Sequence, residues 1–183
     1  WGFQNFGVVP DIVTMAKGIG NGAPLAAVTT RREIAEKLTQ RIHFNTFGGN
    51  PVSMAAGLAV LDAIDEDGLQ QNAKVLGGRL RAGLLELQRR HALIGDVRGL
   101  GVFWAIELVR NRTTREPLVP YNAAGADAKP MLDLAAACKA KGMWPFTHFN
   151  RVHVVPPCNA TVDQVEEGLA ILAREVGHRS HHA

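Results

Sequence analysis

Apolar residues change their spacing several times along the chain, and each change marks a new element. Val9-Pro10-Asp11-Ile12-Val13-Thr14-Met15 reads as a short strand or turn, and Leu25 to Thr29 as a second strand after Pro24. Thr30-Arg31-Arg32-Glu33 has the form of a capping box and predicts a helix running to about Leu38. A polar loop, His43 to Asn50, follows. Asn50 suits an N-cap and Pro51 the first helical position. Met54, Leu58, Leu61 and Ile64 then recur at helical spacing, predicting a helix over about 52–65. Asp67-Gly68 breaks that pattern. Leu69, Ala73, Leu76, Leu80, Leu84 and Leu87 predict a long amphipathic helix.

Beyond it the period falls to two. Val102, Trp104, Ile106 and Leu108 alternate with Phe103, Ala105, Glu107 and Val109, as in a half-buried strand. Arg98-Gly99-Leu100-Gly101 reads as the turn or bulge feeding it. Residues 110–125 are polar and contain proline, which predicts a surface loop. A helix over 127–141, stopped by Gly142, and a strand over 151–155, ended by Pro156-Pro157, come next. Thr161-Val162-Asp163-Gln164 is another capping box, opening a last helix with Val165, Leu169, Leu172 and Val176. Residues 1–66 thus read as the end of one α/β domain. Residues 67–183 read as a small α+β domain, with elements in the order αβαβα.

Composition narrows the function classes. A chain of 183 residues with 46% hydrophobic and 20% charged residues can bury a globular core. Twenty Lys and Arg against 17 Asp and Glu give a formal charge of only +3, scattered without a basic block. That argues against nucleic acid as a partner. No apolar run approaches the roughly 18–20 residues that span a bilayer, so no membrane partner is expected. Cys138 and Cys158 are the two cysteines, read as reduced thiols of a cytoplasmic protein. The N-terminus has neither an initiator Met nor a basic segment before an apolar one, and reads as the interior of a longer chain. The tail from His178 through His182 reads as a solvated end, and no residue is assigned to a metal.

The chemistry concentrates in Asp11-Ile12-Val13-Thr14-Met15-Ala16-Lys17-Gly18-Ile19-Gly20-Asn21-Gly22. An apolar run carries one lysine into a glycine-rich turn. Burying an ammonium is costly, and burial lowers a lysine's pKa and frees its amine for attack on carbonyls. The plain alternative is a surface lysine ahead of a turn. The glycines do not match the phosphate-loop or dinucleotide fingerprints. A second group, His43 to Pro51, sets Thr46 and glycine amides before a helix N-terminus, where orphan N–H groups favour an anion. Its plain alternative is a capped helix start.

Together these segments resemble the class III (ω-amino acid) family of pyridoxal 5'-phosphate (PLP)-dependent aminotransferases. Asp11 to Pro24 is similar to the family's Schiff-base lysine segment, and Thr46-Phe47-Gly48-Gly49-Asn50-Pro51 to its next hallmark. Asp96-Val97-Arg98-Gly99-Leu100-Gly101 and Pro156-Pro157 are similar to two further markers. The resemblance implies the C-terminal part of a type I PLP-dependent transferase fold: the end of the large α/β domain plus the small α+β domain. It implies that Lys17 forms the Schiff base with PLP and then moves the proton, and that Asn45 and Thr46 bind the phosphate. It implies an amino donor (an ω-amino acid, an amine or alanine), a 2-oxo acid acceptor, and a homodimer sharing its active sites. Aminomutases, epimerases and a decarboxylase of the same family keep this lysine and stand as the alternative, as does a dimerisation half that is catalytically incomplete.

Two departures qualify it. The glycine/serine turn, ring-stacking aromatic and pyridine-pairing Asp that the family carries upstream lie outside this sequence, so the chain reads as the C-terminal portion of a longer one. Many relatives also have an arginine three residues before the Pro-Pro pair, to grip the substrate carboxylate; this chain has His153. Arg151 falls on the same strand face. Either residue is a candidate for the substrate anion, and both are alternatively ordinary strand residues. The stretch 144–149 reads as core aromatic packing or as a substrate mouth in which His148 offers a polar contact. Arg98 reads as structural.

Overall fold

The computed structural model of the chain describes residues 1–180; the end of the histidine-rich tail lies outside the described residues. The chain divides into two compact units, Trp1–Gly68 and one from Leu69 onward.

In the first unit, β1 (Ile12–Ala16) and β2 (Ala26–Thr30) form a two-stranded antiparallel ribbon, with Ile12 opposite Thr30 and Ala16 opposite Ala26. Short helix α1 (Arg32–Ala35) continues as a 3-10 turn over Glu36–Gln40, and α2 spans Pro51–Glu66. The expected capping box at Thr30 does not form. Thr30 Oγ1 donates instead to the Asp11 carbonyl at 2.7 Å, Glu33 pairs with Arg31 at 3.1 Å, and Arg31 takes the N-cap position. Across-ribbon bonding thus outcompetes the local cap. Asn50 does cap α2: its Oδ1 accepts from the Ser53 amide at 2.9 Å, with Pro51 at the first turn. The apolar stripe of α2 has helical spacing, yet Leu58 stays 64% exposed. A lone ribbon and one long helix offer too little surface to bury it.

The second unit is a two-layer α+β structure. Its elements are α3 (Leu69–Arg90), β3 (Ile94–Leu100), β4 (Phe103–Asn111), β5 (Glu116–Pro117), α4 (Lys129–Ala140), β6 (Phe146–His148), β7 (Arg151–Val154) and α5 (Val162–Ser180). All the strand pairings are antiparallel, in the order β3-β4-β7-β6, with β5 at the end of β4. One face of the sheet carries Trp104, Ile106, Leu108 and Val152 into the core. There they join Leu76, Leu80 and Leu84 of α3, Leu134 of α4 and Leu172 and Val176 of α5, all 2% exposed or less. The capping box of α5 forms in both directions: Thr161 N–H donates to Gln164 Oε1, and Gln164 N–H to Thr161 Oγ1.

Several expectations need correcting here. The segment expected as a turn, 98–101, is largely strand β3, so the unit gains a strand before β4. The expected surface loop after Arg110 buries Leu118 and Val119. Strand β6 falls where core packing or a substrate mouth was expected, and Trp144 and Phe146 are 82% and 64% exposed, which excludes core packing. Helix α5 continues through Ser180, so the start of the tail expected as a solvated end is helical, with His178 exposed.

Candidate active site

Lys17 directly follows β1 and opens a 3-10 turn, Lys17–Ile19. Its φ of 55° lies in the left-handed region, which disfavours any residue with a Cβ. The turn is fixed by Gly20 and Asn21 amides donating to the Lys17 and Gly18 carbonyls at 3.0 and 3.2 Å. Gly20 cannot be anything larger: a Cβ there would run into the Ala23 carbonyl and lie 2.9 Å from Leu25 Cβ. The glycine-rich stretch therefore fixes how the lysine is presented. The lysine itself is exposed in this chain, against the burial its apolar neighbours suggested. The reason is the ribbon, whose residues alternate between exposed and half-buried positions because it has no covering layer among the described residues. No described hydrogen bond or ion pair engages the Lys17 ammonium.

Asn45 and Thr46 fall in one turn ahead of α2. Asn45 Oδ1 accepts from the Phe47 amide at 3.2 Å, and the Gly48 amide donates to the Asn45 carbonyl at 3.0 Å. That leaves Asn45 Nδ2 and the exposed Thr46 hydroxyl without described partners. The helix end offers less than expected: Pro51 has no N–H and Asn50 takes that of Ser53. Any anion here would meet the turn's side chains before the helix amides. Among the described residues no hydrogen bond or ion pair joins Lys17 to this turn.

Arg151 and His153 share the outer face of the second unit's sheet, as strand alternation predicts. Register places Arg98, Ala105, His153 and Phe146 in one row across four strands, and Glu107, Arg151 and His148 in the next. A surface hollow of about 390 Å³ is lined by Arg98, Phe103, Arg151 and His153, among others. Arg98 Nη1 binds Asp96 and, at 2.7 Å, Glu107 Oε2, and these carboxylates hold its pKa above the ordinary value. Arg151 Nη2 lies 3.0 Å from His148 Nδ1, a pairing that strand spacing alone did not reveal.

Desolvation, then the charges of Arg151, His148 and Arg98, push the His153 pKa below the usual imidazole value. His153 therefore holds its proton less readily folded than unfolded. Its contribution to stability is complete above the ordinary imidazole pKa and is lost as pH falls through the folded value. An NMR titration is expected to place His153 below the ordinary value, and Arg151→Met is expected to raise it; an unchanged pKa in that variant contradicts the assignment.

Among the described residues no helix is long and apolar enough to cross a membrane, no disulfide forms, and no group of three or more His, Cys, Asp or Glu is placed to hold a metal.

Known proteins resemble this chain in sequence and in fold. It is 56% identical over 117 residues to alanine–glyoxylate aminotransferase 2 homolog 2 of Arabidopsis thaliana, covering 64% of this chain and 24% of that protein. It is 36% identical over 173 residues to the 5-aminovalerate aminotransferase DavT of Pseudomonas aeruginosa, covering 93% of this chain and 38% of that one. A solved taurine:2-oxoglutarate aminotransferase from Bifidobacterium kashiwanohense, in complex with PLP and glutamate, superposes with a TM-score of 0.90 at 28% identity, over 99% of this chain and 41% of that one. The chain thus spans about two-fifths or less of the length of these relatives. The family model for class-III aminotransferases matches residues 1–176. Both the lysine turn and the outer sheet face lie inside that match, and the chain belongs to the class III aminotransferase family.

Proposed function

We propose that this chain supplies the Schiff-base lysine and the phosphate-binding turn of a PLP-dependent aminotransferase. The donor is an ω-amino acid, an amine or alanine. The acceptor is a 2-oxo acid such as pyruvate, glyoxylate or 2-oxoglutarate. The observation that carries the reading is Lys17: an amine with no partner among the described residues, held at φ 55° on a turn whose Gly20 admits no side chain. The names of the similar proteins support the substrate classes, since they pair alanine with glyoxylate, and taurine with 2-oxoglutarate.

The residues present fit the cofactor. Lys17 offers a primary amine to a carbonyl carbon, and a Cβ built at the adjacent Gly18 meets nothing within 4 Å, so that side is open. Thr46 Oγ1 and Asn45 Nδ2 offer the donors a phosphate needs. PLP, when bound, supplies an electron sink for the carbon that loses a proton. Lys17 Nζ takes that proton from the amine-bearing carbon of the substrate and holds it for return, as a general acid–base. Arg151 or His153 receives the substrate anion. Exposed Ile42, Phe44 and Phe47 around the Asn45 turn favour a second subunit there, and hence a homodimer.

Product analysis tests the reaction class. Alanine with glyoxylate, and 5-aminovalerate or taurine with 2-oxoglutarate, are incubated with the protein and PLP. New amino acid is expected only when donor and oxo acid are both present. Product formed from the donor alone replaces the reading with an aminomutase, epimerase or decarboxylase. Failure to bind PLP at all leaves a structural, dimerising role.

A further inference from the structure

Among the described residues Arg151 pairs with no carboxylate, although one stands opposite it. Its cross-strand partner on β4 is Glu107, the position where an antiparallel sheet ordinarily forms an ion pair. Glu107 is turned elsewhere. Its Oε2 accepts from Arg98 Nη1 at 2.7 Å, and its Oε1 accepts from Asn150 Nδ2 at 3.3 Å. Asp96, the other acid on this face, is also bound to Arg98. Both acids thus serve one arginine, and the second is left to an imidazole. A guanidinium has no acceptor, so in its 3.0 Å contact with His148 Nδ1 it is Arg151 Nη2 that donates.

The hairpin tip is built to hold this pair. Phe149, between His148 and Asn150, has φ 52°, a conformation that a bulky side chain rarely adopts. Its ring packs on Tyr121 and His148, with centroids 4.3 and 3.9 Å away, and Arg151 Cζ lies 5.7 Å from its centroid. Asn150 is buried and exchanges bonds with Leu108: its Nδ2 donates to the Leu108 carbonyl at 2.9 Å, and the Leu108 amide to its carbonyl at 2.7 Å. Strain at the tip is thus maintained by an anchored neighbour, and the result is an oriented but uncompensated cation.

We infer that Arg151, rather than His153, is the docking point for a substrate carboxylate, and that His148 is a positioning residue that holds its guanidinium. What brings the carboxylate rests on the aminotransferase reading; the site itself rests on the charge arrangement. The groups that face Arg151 are Glu107 across the strand and His148 and His153 beside it, with Arg98 and Asp96 one strand further. Of the cations among them, Arg98 is already neutralised. Desolvation, and then Arg151 itself, hold the His153 pKa below the ordinary imidazole value, so His153 carries a proton less readily than Arg151 does. Arg151 therefore supplies the charge, and a carboxylate matches its bidentate fork.

Calorimetric titration of the full chain with glutarate, which carries neither amine nor carbonyl, tests this without turnover. Saturable binding is expected. Arg151→Gln should weaken it by at least about tenfold, the scale of a hydrogen bond to a charged group. His148→Ala should weaken it by roughly three- to tenfold, whereas His148→Asn, whose amide oxygen can stand near the position of Nδ1, should return it to within about twofold of the parent. His153→Gln should stay within about twofold. In turnover, His148→Ala should raise KM for the acid substrate more than it lowers kcat. Absence of saturable binding by the parent, or full affinity in Arg151→Gln, overturns the docking point. His148→Asn binding no better than His148→Ala overturns the positioning role. Because glutarate needs no chemistry, loss of the aminotransferase reading leaves this order of affinities standing, and the two fail separately.

Discussion

Replacing Lys17 with alanine is expected to abolish the amino-group transfer proposed above and to leave the fold unperturbed. The proton transfer assigned to its amine accounts by itself for roughly 10²–10⁴ in rate. The proposed covalent hold on the cofactor would be lost as well. The folded chain has little stake in the side chain: it is exposed and has no partner among the described residues. Its backbone, at φ 55°, is a liability of roughly 1–2 kcal/mol for any residue but glycine. Lys17→Gly should therefore be at once inactive and more stable, with a higher unfolding midpoint. That stability asks for glycine where lysine is found supports the proposed chemical role. The checks are turnover, denaturant unfolding and borohydride reduction followed by peptide mass analysis. Cofactor mass is expected on the peptide carrying Lys17 in the parent and nowhere in the variants. Sustained turnover in Lys17→Ala, or cofactor fixed to another lysine, removes Lys17 from its role.

What could be read from the sequence was local. Asn50 before Pro51, and Thr161 with Gln164, form their caps because the partners sit within one helical turn. Arg151 and His153 share a face because alternation along a strand is a local rule. The same locality misled at Thr30, where a carbonyl 19 residues away won the hydroxyl. Strand β3 was hidden because Gly95 and Gly99 interrupt its pattern, and only pairing with β4 defines it. The exposure of Lys17 and Trp144 was illegible for a related reason: an apolar run does not say which of its faces another layer covers. The diversion of Glu107 from Arg151 to Arg98 depends on the register of three strands at once. No spacing along one strand encodes it.

Gly77→Ala and Gly78→Ala, adjacent on α3, are expected to shift stability in opposite directions. Helix propensity favours both, since alanine is better than glycine by up to about 1 kcal/mol in a helix interior. At Gly78 nothing else intervenes: a Cβ there meets no atom within 4 Å, so Gly78→Ala should stabilise by roughly 0.5–1 kcal/mol. At Gly77 the helix lies against the turn between β3 and β4. A Cβ would stand 2.5 Å from the Gly101 carbonyl oxygen and 2.9 Å from its Cα. These are backbone atoms, so no rotamer change relieves the overlap. Gly101 has a φ of +54° and closes the turn, so the turn resists shifting too. Overpacking a tight contact costs about 1–3 kcal/mol, which exceeds the propensity gain and leaves Gly77→Ala destabilised. The displaced turn carries the ends of β3 and β4, and with them Arg98 and Phe103 on the outer face. Gly77→Ala should therefore also weaken glutarate binding, from a residue on α3 that is buried. Paired unfolding curves decide the matter: equal shifts of the same sign would mean that helix propensity, rather than the fit of α3 against the Gly101 turn, sets the stability at this position.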